Sequence, residues 1–123
     1  MTTRNIRPVP AQQAVVDRQL AAYNARDIDT FMACYTADCA VEDGSGARIM
    51  SGHAEMRPRY QLLFASSPNL HCDITSRICI GDYVIDEERI TGRVPDVGRA
   101  VVIYLVSKPS GLISHVRFLR DAG

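Results

Sequence analysis

From Ala11 the apolar residues repeat at helical spacing. Val16, Leu20 and Tyr23 fall at i, i+4 and i+7 with Val15 and Gln19 alongside, and this stripe predicts a helix through about Ala25. Asn24-Ala-Arg-Asp27 breaks the pattern. Asp27 suits the N-cap of a second, short helix over Ile28 to Tyr35, because its carboxylate accepts from the exposed amides of the first turn. Ile28, Phe31, Met32 and Tyr35 supply that helix's inner face, and the tight join folds the two helices back on each other. Residues 1–10 carry Pro8, Pro10 and little hydrophobicity, so they read as a flexible arm ahead of one domain over residues 11–121.

Cys39 to Glu42 is extended and ends at Asp43-Gly-Ser-Gly46, a strong turn signal. Ile49 to Gly52 leads into a third helix, His53 to about Ala65, with Met56, Tyr60, Leu63 and Phe64 on its apolar face. Pro58 removes one amide there, which calls for a later start or a kink. The second half reads as strands. Leu70, Cys72, Ile74, Ile78 and Ile80 alternate with polar positions, and Gly81-Asp82 makes a two-residue hairpin turn into Tyr83 to Thr91. Gly92 to Gly98 is a polar connection, Ala100 to Ser107 is nearly all β-branched or aromatic, and Lys108-Pro-Ser-Gly111 turns it into Leu112 to Leu119. Helices followed by an antiparallel meander predict an α+β fold, three helices laid across one face of a curved antiparallel sheet.

Composition trims the possibilities. At 123 residues and 46% apolar, one core is expected. Fourteen basic residues balance 14 acidic ones and the arginines are scattered, which argues against a nucleic-acid partner. No apolar run approaches the roughly 20 residues of a bilayer span, and the N-terminus has no signal-like segment. Cys34, Cys39, Cys72 and Cys79 fit no zinc or disulfide spacing, so the expectation is a cytoplasmic chain with reduced thiols and no membrane partner.

A bent sheet closed by helices makes a cone whose mouth suits a small molecule. Asp43, at the end of a strand before a Gly-rich turn, is the leading catalytic candidate. At a cavity wall its carboxylate would be partly desolvated and its pKa raised to serve as a general base. An Asp before Gly-Ser-Gly is equally a favoured turn residue that bonds nearby amides. Tyr23, Phe31, Tyr35, Met56, Tyr60 and Phe64 are the inward aromatics and thioether, core residues of which some would line an apolar pocket. His115 either faces the cavity beside Asp43 or joins Arg117 on the outer face at a dimer contact. His53 opens the third helix and is expected in solvent; His71 has no assigned role. In Asp86-Glu87-Glu88-Arg89, Glu87 and Arg89 share a face and are expected to pair with Arg77 and Asp73 across the hairpin. At least one acid points into the layer filled by Ile and Val. Three His on separate elements give no metal-ligand spacing, and Gly44-Ser-Gly46 lacks the lysine of a phosphate loop.

The run Val15-Val16-Asp-Arg-Gln19, with Tyr23, Asn24, Asp27-Ile-Asp29, Tyr35-Thr-Ala-Asp38, Val41-Glu42-Asp43, Gly46 and Ser51-Gly52, resembles the nuclear transport factor 2-like superfamily. Within it, the chain is similar to the ketosteroid isomerases and SnoaL-like polyketide cyclases. The likeness extends through Gly81 to Glu88 and Gly111 to Arg117, covering roughly residues 11 to 119. The resemblance implies a cystatin-like α+β cone, a homodimer through the sheet, and an Asp at the place of Asp43 that shuttles a proton next to a carbonyl. The donors of those isomerases do not match: Gln19 stands at the helix tyrosine, and Val101 to Ser107 carries no acid. Tyr23 and Tyr104 are the available substitutes, and a lost oxyanion donor costs on the order of 10²–10³ in rate. A carboxylate–arginine–carboxylate group on the hairpin would instead look like the limonene epoxide hydrolase branch and activate water. The expected reading is a cofactor-free enzyme acting through Asp43 on a small apolar or cyclic carbonyl ligand. Its pocket would be drawn from Gln19, Tyr23, Phe31, Tyr35, Met56, Tyr60, Phe64, Tyr104 and His115. The other two readings are a non-catalytic ligand-binding or subunit-association module and epoxide-type water addition.

Overall fold

The computed structural model describes residues 9–121. The expected arm therefore lies outside the described residues except at Val9 and Pro10. Helix α1 (Ala11–Ala25) runs as its stripe predicts and ends where Arg26 turns left-handed, φ 55°. Asp27 caps α2 (Ile28–Ala33) by accepting from the Thr30 amide at 3.2 Å and its hydroxyl at 2.7 Å. This helix stops two residues short of the expected Tyr35. The sheet captures the chain there: Ile113 donates its amide to the Cys34 carbonyl at 2.9 Å, and Tyr35 opens β1 (Tyr35–Asp43). A short β2 (Arg48–Ser51), not expected as a strand, precedes α3 (Gly52–Ser66). Pro58 lies inside α3 without ending it. Pro58 and Ala54, whose carbonyl the proline leaves without an amide partner, are both exposed.

Strands β3 (His71–Ile80), β4 (Tyr83–Thr91), β5 (Arg99–Val106) and β6 (Ile113–Arg120) form the expected meander. The six-stranded sheet has the order β2-β1-β6-β5-β4-β3, and every pair is antiparallel except β1 with β6, which is parallel. The three helices pack on its inner face. Two groups pin α1 to β3: the Asn24 side chain exchanges both hydrogen bonds with the Cys72 backbone, at 2.8 and 3.0 Å, and Arg26 donates to the Leu70 carbonyl at 3.1 Å.

A bulge in β3 corrects the expected alternation. The register slips between Ile74, opposite Glu88, and Ser76, opposite Glu87. One extra residue reverses every side chain beyond it. Ile78 and Ile80, expected inside, are exposed at 59% and 64%, whereas Arg77 and Cys79 turn inward. On β4 the buried face is Val84, Asp86, Glu88 and Ile90, so both Asp86 and Glu88 face the helices. The expected pairs of Glu87 and Arg89 with Arg77 and Asp73 do not form. Glu87 accepts from Arg99 at 2.9 Å, and Asp73 meets His71 at 3.0 Å.

Arg77 instead grips the fully buried Asp86 with two hydrogen bonds, Nε to Oδ1 at 2.6 Å and Nη2 to Oδ2 at 2.8 Å. Its remaining Nη1 donates to Asp17 on α1, which is about half exposed. These contacts, the one with Asp86 foremost, raise the Arg77 pKa above its ordinary value. Arg77→Met strands a buried carboxylate and is expected to cost about 3–5 kcal/mol in urea unfolding. Asp17→Asn, which leaves the buried pair intact, is expected to cost less than about 1 kcal/mol.

Candidate functional site

Between the helices and the inner face of the sheet lies a cavity of about 200 Å³, open at one end. Its apolar wall includes Leu20, Tyr23, Phe31, Tyr60, Leu63 and Ile90. The rings interlock: Phe31 lies 4.6 Å from Tyr60 and 5.0 Å from Tyr35, centroid to centroid. Such ring-on-ring packing makes one side of the cavity apolar. Against it, β4 presents one ionisable group, Glu88.

Glu88 is only 6% exposed. Burial dominates its chemistry and raises its pKa to about 7, with the Asp86 charge pushing the same way. Hydrogen bonds from Cys72 and Tyr104 pull against that rise, and Arg120 pulls weakly through space. No ion pair to Glu88 occurs among the described residues. Its neighbour Asp86 has spent Arg77's two parallel donors, so Glu88 is the buried acid of the pair left without an ion pair among the described residues.

A chain of hydrogen bonds through Tyr35, Gln19 and Tyr104 runs beside it. The Tyr35 hydroxyl donates to Gln19 Oε1 at 2.9 Å, and Gln19 Nε2 donates to the Tyr104 oxygen at 3.2 Å. With that oxygen accepting, the Tyr104 proton is free for the Glu88 carboxylate. Burial holds the Tyr35 and Tyr104 hydroxyls well above the usual phenol range, so both stay protonated donors. Burial likewise raises Tyr23 and Tyr60. Neither of these two hydroxyls bonds to another described residue, and both residues line the cavity.

Three arginines stand at the cavity: Arg59 from α3, Arg93 just after β4, and Arg120 at the end of β6. Gly92 makes the Arg93 position possible. Its φ is +71°, and a Cβ there would sit 2.0 Å from the Asn69 carbonyl oxygen, so only glycine lets β4 turn off this close to the entry of β3. Beyond the turn, the Val94 amide donates to the buried Ser67 hydroxyl at 3.0 Å.

Of the expected site residues, Gln19, Tyr23, Phe31, Tyr35, Tyr60 and Tyr104 line the cavity together. Met56 and Phe64 do not; they are buried in the core, Phe64 packed edge-on against Tyr23 at 5.6 Å. Asp43 lies outside the cavity. Its Oδ1 accepts from the Ser45 hydroxyl at 2.6 Å, the Ser45 amide at 2.9 Å and the Ala47 amide at 3.2 Å, which holds its pKa below the usual carboxylate range. This is the turn role, not a desolvated base. His115 also lies outside it, on the outer face of the sheet with Arg117, both reaching Glu42, at 2.8 and 3.0 Å. His53 is half-buried against the Tyr35 carbonyl at 2.9 Å rather than in solvent. The acid–arginine–acid group exists as Asp17, Arg77 and Asp86, yet none of the three lines the cavity. Arg93 and Arg120 are absent from the expected site, and Glu88 enters it only as a hairpin acid whose inward facing, with that of Asp86, distinguishes the water-addition reading; both acids do face inward. The signal for Glu88 was there: it alternates with Val84, Asp86 and Ile90.

The profile of the SnoaL-like domain family matches residues 16–122. No curated protein is matched by the sequence. Among solved structures, a cystatin-fold protein from Novosphingobium aromaticivorans is 24% identical, with TM-score 0.78, and the match covers 92% of this chain and all of that one. A candidate ketosteroid isomerase from Kribbella flavida is 19% identical with TM-score 0.69, covering 92% and 79% of the two chains. A candidate polyketide cyclase from Sinorhizobium meliloti is 17% identical with TM-score 0.69, covering 89% and 99%. At these identities the likeness is one of fold. Among the described residues no helix is long and apolar enough to cross a membrane.

The raised Glu88 pKa fixes a sign for stability against pH. The native carboxyl holds its proton up to about 7 while the unfolded one releases it near 4.5, so native protein binds more protons between those values and loses stability as pH rises through them. The loss attributable to Glu88 is expected to reach about 3 kcal/mol. Denaturant titrations from pH 4 to pH 8 are expected to show this slope in the wild type and not in Glu88→Gln. The other shifted carboxyls, Asp27, Glu42, Asp43 and Glu87, are lowered and titrate below this window.

Proposed function

The chain belongs to the SnoaL-like family, and from that premise we propose that it is a cofactor-independent enzyme that moves a proton on a carbon next to the carbonyl of a small, largely apolar substrate, with Glu88 as the base. One observation carries this reading: a buried carboxyl with a pKa raised to about 7 and no ion pair among the described residues, on the wall of an aromatic cavity. The relatives named as ketosteroid isomerase and polyketide cyclase support a reaction at an activated carbon but assign no residue here.

The chemistry follows from the placement. Ionised Glu88 takes a proton from the carbon beside the carbonyl, and the electron pair moves onto the carbonyl oxygen. Tyr23 and Tyr60 supply unengaged O–H groups for that developing oxyanion. Returning the proton from Glu88 to another carbon completes an isomerisation; attack by the carbanion on an internal carbonyl forms the ring and an alkoxide, which takes the proton back from Glu88 and restores the base. Tyr104, held by Gln19, lines the same cavity and favours the ionised form of Glu88. Asp43 takes no part. Size limits the substrate: a cavity of about 150 Å³ holds benzene, so the space here takes one ring and a few further atoms, not a steroid.

Deuterium uptake at the α-carbons of small cyclic ketones, followed by NMR in D₂O, tests the assignment. Wild-type protein is expected to accelerate exchange, with a rate that rises as pH passes through about 7, where Glu88 ionises. Glu88→Gln is expected to lower it by about 10²–10⁴, while Asp43→Asn stays within about twofold, since Asp43 lies outside the cavity. Ketone binding without exchange would leave a ligand-binding module, and equal rates in wild type and Glu88→Gln would remove Glu88 as the base.

A further inference from the structure

The three arginines at the cavity are more than the proton-transfer reading needs. None of them takes part in an ion pair among the described residues, although other arginines of the chain do: Arg57, Arg77, Arg99 and Arg117 each meet a carboxylate. Arg93 is only partly exposed, and its Nε is buried with no hydrogen-bond partner. Arg120 extends over the Phe118 ring, 5.0 Å from guanidinium carbon to centroid, which holds its fork in place. Burial first, and then the positive charge of Arg93, lower the Arg120 pKa from its ordinary value. Two guanidiniums that repel each other are thus kept together beside an apolar chamber. Among the described residues that line that chamber, Glu88 is the one acid beside three arginines.

Such an arrangement favours entry of an anion, because the buried Arg93 Nε forfeits a charge-assisted hydrogen bond without one and Arg120, exposed at its strand end, is repelled by Arg93 until a negative charge lies between them. The chamber next to it admits hydrocarbon. We propose that this site takes a small carboxylic acid in its carboxylate form, the carboxylate held between Arg93 and Arg120 and the ring or short chain packed against Tyr23, Phe31, Tyr60 and Leu63. The proposal rests on the reading of this cavity as a substrate site and names the class of substrate: an apolar acid that also carries a carbonyl. The planar fork of arginine pairs with a carboxylate through two parallel bonds, which fixes the substrate's orientation with its far end toward Glu88. Arg59, exposed on α3, adds charge at the mouth without a contact of its own.

Phenylacetate and its neutral isostere phenylacetamide, titrated into the full chain by calorimetry, test the proposal, with toluene as a probe of the cavity alone. The acid is expected to bind at least about tenfold more tightly than the amide, the factor that one charge-assisted bond supplies. Arg93→Gln combined with Arg120→Gln is expected to abolish that preference. Toluene-induced NMR shifts at Tyr60 and Tyr23 check that the cavity of the variant is still formed. Equal affinities for acid and amide in the wild type overturn the proposal and leave the proton-transfer reading standing. A preference that survives in the double variant overturns the assignment to these arginines. Failure of all three probes to bind overturns both readings. In Glu88→Gln the acid preference is expected to persist while ketone exchange is lost, which separates recognition from catalysis.

Discussion

Asp86 and Glu88 stand two residues apart on the inner face of one strand, and taking both carboxyls out of water without partners would cost several kcal/mol each. The fold resolves this unequally. Arg77 closes on Asp86 with two bonds and reaches Asp17 with a third donor, which satisfies one acid and ties α1 to the sheet. Glu88 receives only neutral donors. A carboxyl in that position escapes the penalty by keeping its proton, and this is the origin of its near-neutral titration. The inequality depends on the β3 bulge, since without the extra residue Arg77 would face solvent and both acids would be stranded.

The interior then arranges itself around a group that changes charge. Gln19 is the hinge of the polar chain: its carbonyl accepts from Tyr35 and its amide donates to Tyr104, which leaves the Tyr104 proton unspent on the Glu88 side of the cavity. A tyrosine in place of Gln19 has one hydroxyl and could not bridge both neighbours with separate donor and acceptor atoms. The first-helix position that carries a donor in the isomerases this chain resembles therefore does different work here. On the proposed reading the base is Glu88 and the donors are Tyr23 and Tyr60, so a reaction of that kind would rest on other residues of the same scaffold.

Much of this was legible in the sequence. The helix stripes, the cap at Asp27, the Gly81 hairpin and the meander follow from local periodicity and turn chemistry, and each has a counterpart in the structure. The aromatic wall followed too, because large apolar residues on inward faces have few other places to go. What escaped depends on register. Alternation through β3 placed Ile78 inside and Arg77 outside, and one bulged residue reversed both. The partner of Asp86 was hidden with it. Asp43 misled for a related reason: the same Asp-Gly-Ser-Gly segment that ends a strand offers three donors to a carboxylate, and this local satisfaction outcompetes any role at a distance. Arg93 and Arg120 sit in a loop and at a strand end, where no periodic signal exists, and only the close passage at Gly92 brings them to one opening.

The charges of the cavity also bear on one another. An anion bound between Arg93 and Arg120 cancels the cationic field that, through Arg120, lowers the Glu88 pKa. Occupancy by an acid therefore favours the protonated form of Glu88, and a proton taken from the substrate is held more firmly while the ligand remains. The arginines and the carboxyl thus belong to one linked system in which recognition adjusts the base. A neutral substrate of equal size would fill the same chamber and leave that adjustment unmade. On the proposed reaction with an acid substrate, the mouth would contribute to proton transfer as well as to affinity, because the field it loses on binding is the field in which the proton would move.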